Sequence, residues 1–286
     1  MRTPTHLSHS SRETFLRCAR SWFLKYLAEA PQTPALWLAG GSAVHEATEH
    51  YDLMSVVGND DVFPARQVWE TYFNNQLEQL RDKEENENRW RRSEDIETWR
   101  RMGLQFVQAY IDWRERSPWE IWTTPEGEPA IELDVGGRLP GCPVEIKAII
   151  DRVFWDPVFK KHHIVDLKTS KKPPKNADQF GTYRALLKVR YDIDADSGVP
   201  FMNRRASLGK PFDLAEYTPE YVGGVFGDAW KQIQEYTRTG QWPANTGDCF
   251  ICDVSASCAA KNGPLAHLYD PDSLAYVARP GDPVPS

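Results

Sequence analysis

Four of the five cysteines stand near the two ends of the chain. Cys249, Cys252 and Cys258 form the pattern C-x2-C-x5-C, and Cys18 lies close to the opposite end. A thiolate quartet of this kind suits either tetrahedral zinc or a 4Fe-4S cluster, and the spacing alone does not choose between them. Because a shared metal group would close a loop containing most of the chain, the pattern predicts that the two ends fold together.

The start of the chain indicates the compartment. Met1 is followed by a polar stretch without the apolar segment of a signal peptide, and no window approaches the roughly 18 apolar residues of a membrane span. We therefore expect a cytoplasmic protein with no membrane partner. Thiols in that compartment bind metals more often than they form disulfides. The fifth cysteine, Cys142, lies on a predicted turn and receives no role.

The charge balance limits how this chain can contact nucleic acid. Its 34 Lys and Arg against 41 Asp and Glu give a formal charge of −7, which excludes a protein that coats nucleic acid through a bulk positive field. Any such contact has to be local. Two local groups of cations are Arg12, Arg17, Arg20 and Lys25 near the start, and Lys171, Lys172 and Lys175 in the second half.

Apolar periodicity predicts an α/β protein whose helical and β-rich parts follow one another. The segments with helical spacing are residues 7–27, one opening at Gly40, 64–82, 94–116, 178–190 and 219–238. The β-rich runs are residues 131–135, 144–155, 163–167, 201–206 and 212–217. The first three runs favour a meander, and a mixed sheet covered by helices is the expected core. The charged run at 81–101 is interpreted as a solvated face or loop.

Two acids and a lysine fall on neighbouring runs of the predicted meander. Asp151 lies in one run, and the next ends with Asp166, Leu167 and Lys168. Strand alternation sends Asp166 and Lys168 to the same face, toward whatever Asp151 also faces. Two carboxylates provide the oxygen ligands that Mg²⁺ or Mn²⁺ prefers, and an ammonium group nearby can neutralise a phosphate or orient an attacking water. The pattern predicts a metal-assisted hydrolytic site.

Three segments around these residues resemble the motifs of RecB-like nucleases of the PD-(D/E)xK superfamily. They are Asp151-Arg152-Val153, Asp166-Leu167-Lys168-Thr169-Ser170 and Gln179-Phe180-Gly181-Thr182-Tyr183, in the family's order and spacing. The resemblance implies that Asp151, Asp166 and the main-chain carbonyl of Leu167 bind Mg²⁺ or Mn²⁺, with Lys168 catalytic.

The same resemblance implies further roles outside the strands. Gln179 and Tyr183 are implied to contact DNA near the cut. Independently of the resemblance, the position of Lys171 and Lys172 just after the run that ends in Lys168 predicts that they bind phosphates there, with a solvated turn as the alternative. Relatives place a metal-binding histidine after a glycine on an upstream helix, which corresponds here to His45 in Gly40-Gly41-Ser42-Ala43-Val44-His45.

Two further positions bear on the comparison with the family motifs, and a second acid pattern competes with Asp151, Asp166 and Lys168. Glu132 falls where many relatives carry an acid, and we expect it to support the site from outside the ligand set. Ala148 replaces the glycine that relatives usually carry three residues before the first acid. A second acid pattern, Asp134 with Glu145-Ile146-Lys147, has tolerable spacing but is not followed by a suitable helix, so it ranks below Asp151, Asp166 and Lys168.

The cysteine pattern also has a counterpart among these nucleases. A cysteine in an N-terminal helix combined with a terminal C-x2-C-x5-C is similar to the iron-sulfur nucleases, which include the CRISPR-associated RecB-type exonuclease and the AddB helicase-nuclease subunit. The resemblance implies a 4Fe-4S cluster on Cys18, Cys249, Cys252 and Cys258, acting as a structural clamp, with structural zinc as the alternative.

The sequence as a whole favours one integrated domain with four parts. We expect a helical N-terminal region at 1–128, a nuclease core at 129–240, a cluster-binding segment at 241–262 and a loose tail at 263–286. The resemblance implies a DNA exonuclease acting on single-stranded ends, typical of phage recombination or CRISPR-adaptation nucleases. A recombination or helicase protein is the expected partner, and the sequence does not determine the number of subunits. The alternatives are an endonuclease for structured or duplex DNA and a DNA-binding scaffold whose catalytic centre has decayed.

Overall fold

The computed structural model of this chain describes residues 4–59, 63–81, 94–273 and 276. The helices and strands among them are, in chain order, β1 (His6–Ser8), α1 (His9–Arg17), α2 (Ala19–Tyr26), α3 (Leu36–Val56), α4 (Ala65–Arg81), α5 (Ile96–Arg114), β2 (Glu120–Ile121), β3 (Ile131–Asp134), β4 (Glu145–Lys147), β5 (Ile149–Asp156), β6 (Lys161–Lys168), α6 (Asp178–Tyr191), β7 (Ala195–Met202), β8 (Ser207–Leu208), β9 (Phe212–Asp213), α7 (Pro219–Thr239) and α8 (Ala266–Tyr269).

These elements belong to two compact units that interleave along the sequence. The unit that we call the cysteine unit contains Met1–Thr33, Gly136–Lys147 and Pro219–Ser286. The unit that we call the sheet unit contains Pro34–Val135 and Ala148–Thr218. Each unit is therefore assembled from segments that are far apart in sequence, whereas the linear division at residues 128, 240 and 262 stays a prediction.

A mixed sheet forms the centre of the sheet unit. β5 pairs antiparallel with both β3 and β6, as the predicted meander requires. β7 pairs with β6 in parallel, and α6 makes the crossover that such a connection requires. Ile164, Val165 and Leu167 are all buried, which is typical of a strand covered on both faces. The predicted α/β fold with a mixed sheet and helices on it is confirmed.

Helices α3, α4 and α5 pack together beside this sheet and share its core. Their buried side chains include Val44, Trp69 and Phe106, which belong to one cluster with Val165 and Phe201 of the sheet. The cluster excludes water from the face of the sheet that packs against these helices, and its close packing holds the strands that carry the acids rigidly in place.

The start of α3 differs from the prediction that Gly40 opens this helix. α3 begins at Leu36, and Gly40 lies inside it. A Cβ at Gly40 would lie 2.2 Å from the ring of Trp99, so the glycine lets α3 and α5 approach closely. The Gly-Gly pair reflects close packing here and does not mark a helix start.

The N-terminal helix predicted for residues 7–27 is in fact broken at Cys18. Leu7 pairs with Ile146 in the short parallel ladder between β1 and β4, and α1 ends at Arg17. Cys18 is extended, with φ −162°, and its Sγ accepts the N–H of Ser21 as the N-cap of α2. Apolar periodicity continues through the break, which is why the pattern did not show it.

The strand predictions also differ in detail. The run at 144–155 is interrupted at Ala148, so that β4 lies in the cysteine unit and β5 in the sheet unit. β7 starts at Ala195, earlier than the predicted strand at 201–206, because Asp196 and Pro200 obscured its pattern. Most of the charged run at 81–101 lies outside the described residues, although Glu94 and Trp99 within it are buried.

The C-terminal segment begins with ordered contacts. Residues 266–269 form α8, and Asp270 is fully buried against Arg20. The rest of the predicted loose tail, beyond residue 276, lies outside the described residues. None of the helices in the described part of the chain has the length and apolar character needed to cross a membrane.

Candidate metal centre

The central strands of the sheet unit place two acids side by side. Arg152 of β5 pairs with Val165 of β6 in the antiparallel register, so Asp151 lies opposite Asp166. The main-chain N–H of Leu167 donates to Asp151 Oδ2 at 2.7 Å and fixes that carboxylate. Asp151 is 8% exposed and Asp166 is 2% exposed. Two buried carboxylates on adjacent strands require a cation or protons to offset their repulsion.

His45 of α3 reaches the same place. Its Nδ1 lies 3.4 Å from Asp151 Oδ2, and its Nε2 lies 3.1 Å from the carbonyl oxygen of Leu167. The structure therefore brings together three of the four predicted ligands, His45, Asp151 and the Leu167 carbonyl, through direct contacts. The fourth, Asp166, is adjacent through the strand register.

Glu132 of β3 also joins this group. Among the described residues, ligand atoms of His45, Glu132 and Asp151 lie within 4.8 Å of one another, as a shared cation requires. Glu132 has φ 45°, a left-handed conformation that costs a residue other than glycine about 1–3 kcal/mol. Such strain is retained where a side chain must point in one direction, so we add Glu132 to the candidate ligands, beyond the supporting role expected from sequence.

The electrostatics of these groups are strongly coupled. Burial lowers the pKa of His45, but the charges of Asp151, Asp166 and Glu132 and a hydrogen bond to Asp151 overcome this effect and raise it to about 9. Burial and the charge of Asp151 raise the pKa of Asp166 to about 6, against the opposing charge of Lys168. Burial would also raise the pKa of Asp151, yet the charge of His45 and its hydrogen bonds lower it.

A hydrogen-bonded chain from α6 orients the second acid and the lysine. Gln179 Nε2 donates to Asp166 Oδ1 at 2.9 Å and to the Tyr183 hydroxyl at 2.8 Å. Lys168 Nζ donates to Gln179 Oε1 at 3.0 Å and lies 2.5 Å from Asp166 Oδ2. Tyr183 is only 7% exposed. In this structure Gln179 and Tyr183 position Asp166 and Lys168, and direct DNA contact by the pair stays a prediction.

A buried ion pair under the site was not found from sequence. Asp52 of α3 and Arg152 of β5 are both fully buried, with Arg152 Nε 2.5 Å from Asp52 Oδ2. Asp52 also accepts hydrogen bonds from Tyr110 and Arg114, and Arg152 Nη1 lies 3.2 Å from Glu132 Oε1. This network ties α3, α5 and β5 beneath the candidate ligands. The sequence feature that could have indicated this ion pair is Asp52, a charged residue among the apolar positions of α3.

The remaining predicted DNA contacts lie in different surroundings. Lys171 and Lys172, which follow β6, are exposed, with Lys171 Nζ 3.7 Å from Glu94. Arg20, expected to be available on the first helix, is instead buried in ion pairs with Asp270 and Asp272, so it cannot contact DNA. Lys147 of the second acid pattern is exposed on β4 in the cysteine unit, whereas His45, Asp151 and Asp166 are in the sheet unit.

The four predicted cluster cysteines line one pocket of the cysteine unit. Cys18, Cys249, Cys252 and Cys258 surround it, and none of them is in a disulfide. Cys18 Sγ accepts main-chain N–H groups from both Ser21 and Asn245 at 3.4 Å. The fifth cysteine, Cys142, is buried elsewhere in the same unit and does not line this pocket.

Comparison with known proteins agrees with this geometry. The chain is 28% identical to the Gene 69 protein of Mycobacterium phage D29, over 88% of this chain and 95% of that protein. It is 27% identical to the Gene 69 protein of Mycobacterium phage L5, with the same coverage of both chains. Residues 6–259 match the PD-(D/E)XK nuclease superfamily. The matched range contains Asp151, Asp166, Lys168 and all four cysteines of the pocket. The chain therefore belongs to the PD-(D/E)XK nuclease superfamily.

Proposed function

We propose that this protein is a Mg²⁺- or Mn²⁺-dependent DNA exonuclease that hydrolyses phosphodiester bonds from single-stranded ends. The observation that carries the proposal is the convergence of His45, Asp151 and Glu132 within 4.8 Å, beside Asp166 and Lys168. Nucleases of this superfamily generally use Mg²⁺ or Mn²⁺.

The donor set fits such a cation. Carboxylate and carbonyl oxygens are the preferred ligands of Mg²⁺ and Mn²⁺, and imidazole binds the latter as well. Asp151, Asp166, His45 and the Leu167 carbonyl would hold the ion, with Glu132 as a further ligand. When bound, the cation supplies a Lewis acid that polarises the scissile phosphate and activates a water molecule.

The residues around the ion perform the other tasks of hydrolysis. The water oxygen bonds to phosphorus and releases a proton to solvent, the bond from phosphorus to the leaving sugar oxygen breaks, and that oxygen takes up a proton from solvent, so one proton is released and one is consumed. The ammonium group of Lys168, held between Asp166 and Gln179, places a positive charge where negative charge accumulates on the phosphate. Gln179 holds both side chains in place, and its Nε2 also donates to the Tyr183 hydroxyl, which fixes the orientation of the amide.

The preference for DNA ends rests on the likeness of the motifs to RecB-like exonucleases. A nuclease similar to phage proteins suits recombination, repair or CRISPR-type processing in a host cytoplasm. A recombination or helicase partner would deliver the DNA.

A comparison of two substrates tests this proposal. A linear end-labelled single strand and a covalently closed single-stranded circle are incubated with Mn²⁺ and the purified protein. We expect release of short products from the linear strand only. Cutting of the circle would favour the endonuclease alternative, and failure to cut either substrate, or duplex DNA, would favour the scaffold.

We also propose that the cysteine pocket holds a 4Fe-4S cluster. The four thiols line one pocket, as the ligands of such a cluster must. The choice of iron over zinc rests on the likeness of Cys18 and the C-x2-C-x5-C pattern to the iron-sulfur nucleases.

Hydrogen bonding around the pocket supports thiolate ligands as well. Two main-chain N–H groups point at Cys18 Sγ, which also caps the N-terminus of α2, where a negative charge is stabilised. The Ser21 hydroxyl lies 3.6 Å from Cys252 Sγ. Burial raises the pKa of Cys258 to about 11, so this thiol needs a metal to ionise near neutral pH.

A further inference from the structure

A cavity of about 520 Å³ opens beside the candidate metal centre, within the sheet unit. One face of α3 lines it through Leu38, Gly41, His45 and Glu49, and Thr169 and Ser170, which follow β6, line it as well. His45 belongs both to this wall and to the candidate ligand group. The volume falls in the range of small-molecule pockets, and a nucleoside is small enough to fit.

The cavity wall is part apolar and part acidic. Trp37, Trp99 and the 57% exposed Leu38 provide apolar and aromatic surface. Glu46 and Glu49 provide carboxylates, and Gln76 holds Glu46 through a 2.8 Å hydrogen bond. The described residues that line the cavity include no lysine or arginine.

The basic side chains at the end of β6 are directed away from the cavity. Neither Lys168 nor Lys171 lines it. Lys168 Nζ contacts Asp166 and Gln179, and Lys171 Nζ lies 3.7 Å from Glu94. The described cavity wall is therefore acidic and aromatic, whereas these two basic groups face other partners.

From this asymmetry we propose that the cavity receives the terminal nucleoside of the DNA strand and excludes a terminal phosphate. The proposal rests on the nuclease function above and specifies its substrate as a strand ending in a hydroxyl group. The backbone phosphates lie toward Lys168 and Lys171, while the last base contacts Trp37 and Leu38. Glu46 and Glu49 accept hydrogen bonds from the terminal sugar. They repel a terminal phosphate, which carries a charge of about −1.5 to −2.

Four strands of one sequence test the proposal: one with hydroxyl groups at both ends, one with a 5′-phosphate, one with a 3′-phosphate and one with both. Initial cleavage rates with Mn²⁺ are measured for the unaltered protein, for a Glu46→Gln/Glu49→Gln variant and for Glu115→Gln. The last variant removes the charge of an exposed glutamate at the end of α5 and is the matched control.

We expect the unaltered protein to cleave more slowly by roughly tenfold when the end that enters the cavity is phosphorylated, as for like charges several ångströms apart near a protein surface. The double variant should reduce this ratio several-fold, and Glu115→Gln should leave it unchanged. Equal rates on all four strands, a preference for phosphorylated ends, or an unchanged ratio in the double variant would overturn the proposal.

Binding measurements separate this proposal from the nuclease function. Fluorescence anisotropy with the same four strands reports occupancy of the cavity without cleavage. If no strand is cut but hydroxyl-ended strands still bind more tightly, and the double variant removes that preference, the nuclease function fails and the cavity assignment stands. If strands are cut but neither cleavage nor binding depends on the terminal phosphate, the cavity assignment fails alone.

Discussion

Glu132 combines a strained backbone with a position among the candidate metal ligands. Its φ of 45° is accessible to glycine without strain but is unfavourable for alanine. We therefore expect Glu132→Gly to be more stable than Glu132→Ala, by about 1 kcal/mol in chemical denaturation. Both variants lose the carboxylate, so both should bind Mn²⁺ more weakly than the unaltered protein. An alanine variant as stable as the glycine variant would show that the backbone at residue 132 is relaxed.

Protons and the cation compete for the same ligands. The pKa of His45 is raised to about 9 and that of Asp166 to about 6, and each must lose its proton to bind a metal. Below these pKa values the cation has to displace a proton, so its affinity falls as the pH falls. We expect Mn²⁺ affinity, measured by calorimetry, to rise about tenfold per pH unit up to about pH 9 while His45 is the group displaced. A dependence in His45→Ala as steep as in the unaltered protein would contradict this assignment.

Only part of the residue-scale arrangement could be predicted from sequence. The common face of Asp151, Asp166 and Lys168 follows from strand alternation and register, and the structure has that arrangement. Glu132 could not be assigned in this way, because a left-handed residue departs from the alternation of a regular strand. DNA contact by Gln179 and Tyr183 stays a prediction, and the hydrogen bonds that join Gln179 to Asp166 and to Tyr183 could not be derived from sequence, because they depend on how α6 packs against β6.

At the scale of elements, a buried ion pair joins the helices to the sheet. Asp52 and Arg152 are fully buried, and removing one partner would leave the other charge uncompensated. We expect Asp52→Ala to lower the free energy of unfolding by about 3–5 kcal/mol. Asp112→Ala, on an exposed position of α5, should change it by less than about 0.5 kcal/mol.

The double variant Asp52→Leu/Arg152→Met separates charge from packing. It replaces both charges with apolar side chains, so it should recover most of the stability that Asp52→Ala loses. Thermal or urea unfolding of the three variants provides the measurement. A double variant no more stable than Asp52→Ala would indicate that the hydrogen bonds from Tyr110 and Arg114 matter more than the unpaired charge.

The order of elements was more predictable than their boundaries. α6 and α7 occupy almost the predicted ranges, because strong periodicity and Pro219 at the start of α7 mark them. The break at Cys18 was hidden, since the helical pattern continues on both sides while the sulfur atom caps the second helix. The interruption at Ala148 was hidden for a similar reason, because β-rich sequence runs across it although its two halves pair with different strands.

At the scale of the whole molecule, the cysteine pocket joins segments from the two ends of the chain. A cluster there would stabilise the cysteine unit by closing a loop that is open in the unfolded state. We expect anaerobically purified protein to be brown, with four iron and four sulfide ions per chain by elemental analysis, as the proposed 4Fe-4S cluster requires. Cys258→Ser should lose the iron, whereas Cys142→Ser should keep it. Colourless protein containing one zinc ion per chain would overturn the iron assignment.

At the same scale, the proposed activity of the molecule depends on Asp151, Asp166 and Lys168, which we propose cleave DNA. The most direct measurement compares the unaltered protein with Lys168→Ala and Lys147→Ala on a linear single strand in the presence of Mn²⁺. Both lysines end β-strands, but only Lys168 touches an acid of the candidate centre. We predict that Lys168→Ala lowers the cleavage rate by at least about a hundredfold, the size expected for loss of a charged group that stabilises the transition state, and that Lys147→Ala retains the full rate. Loss of cleavage in Lys147→Ala together with full activity in Lys168→Ala would contradict this account.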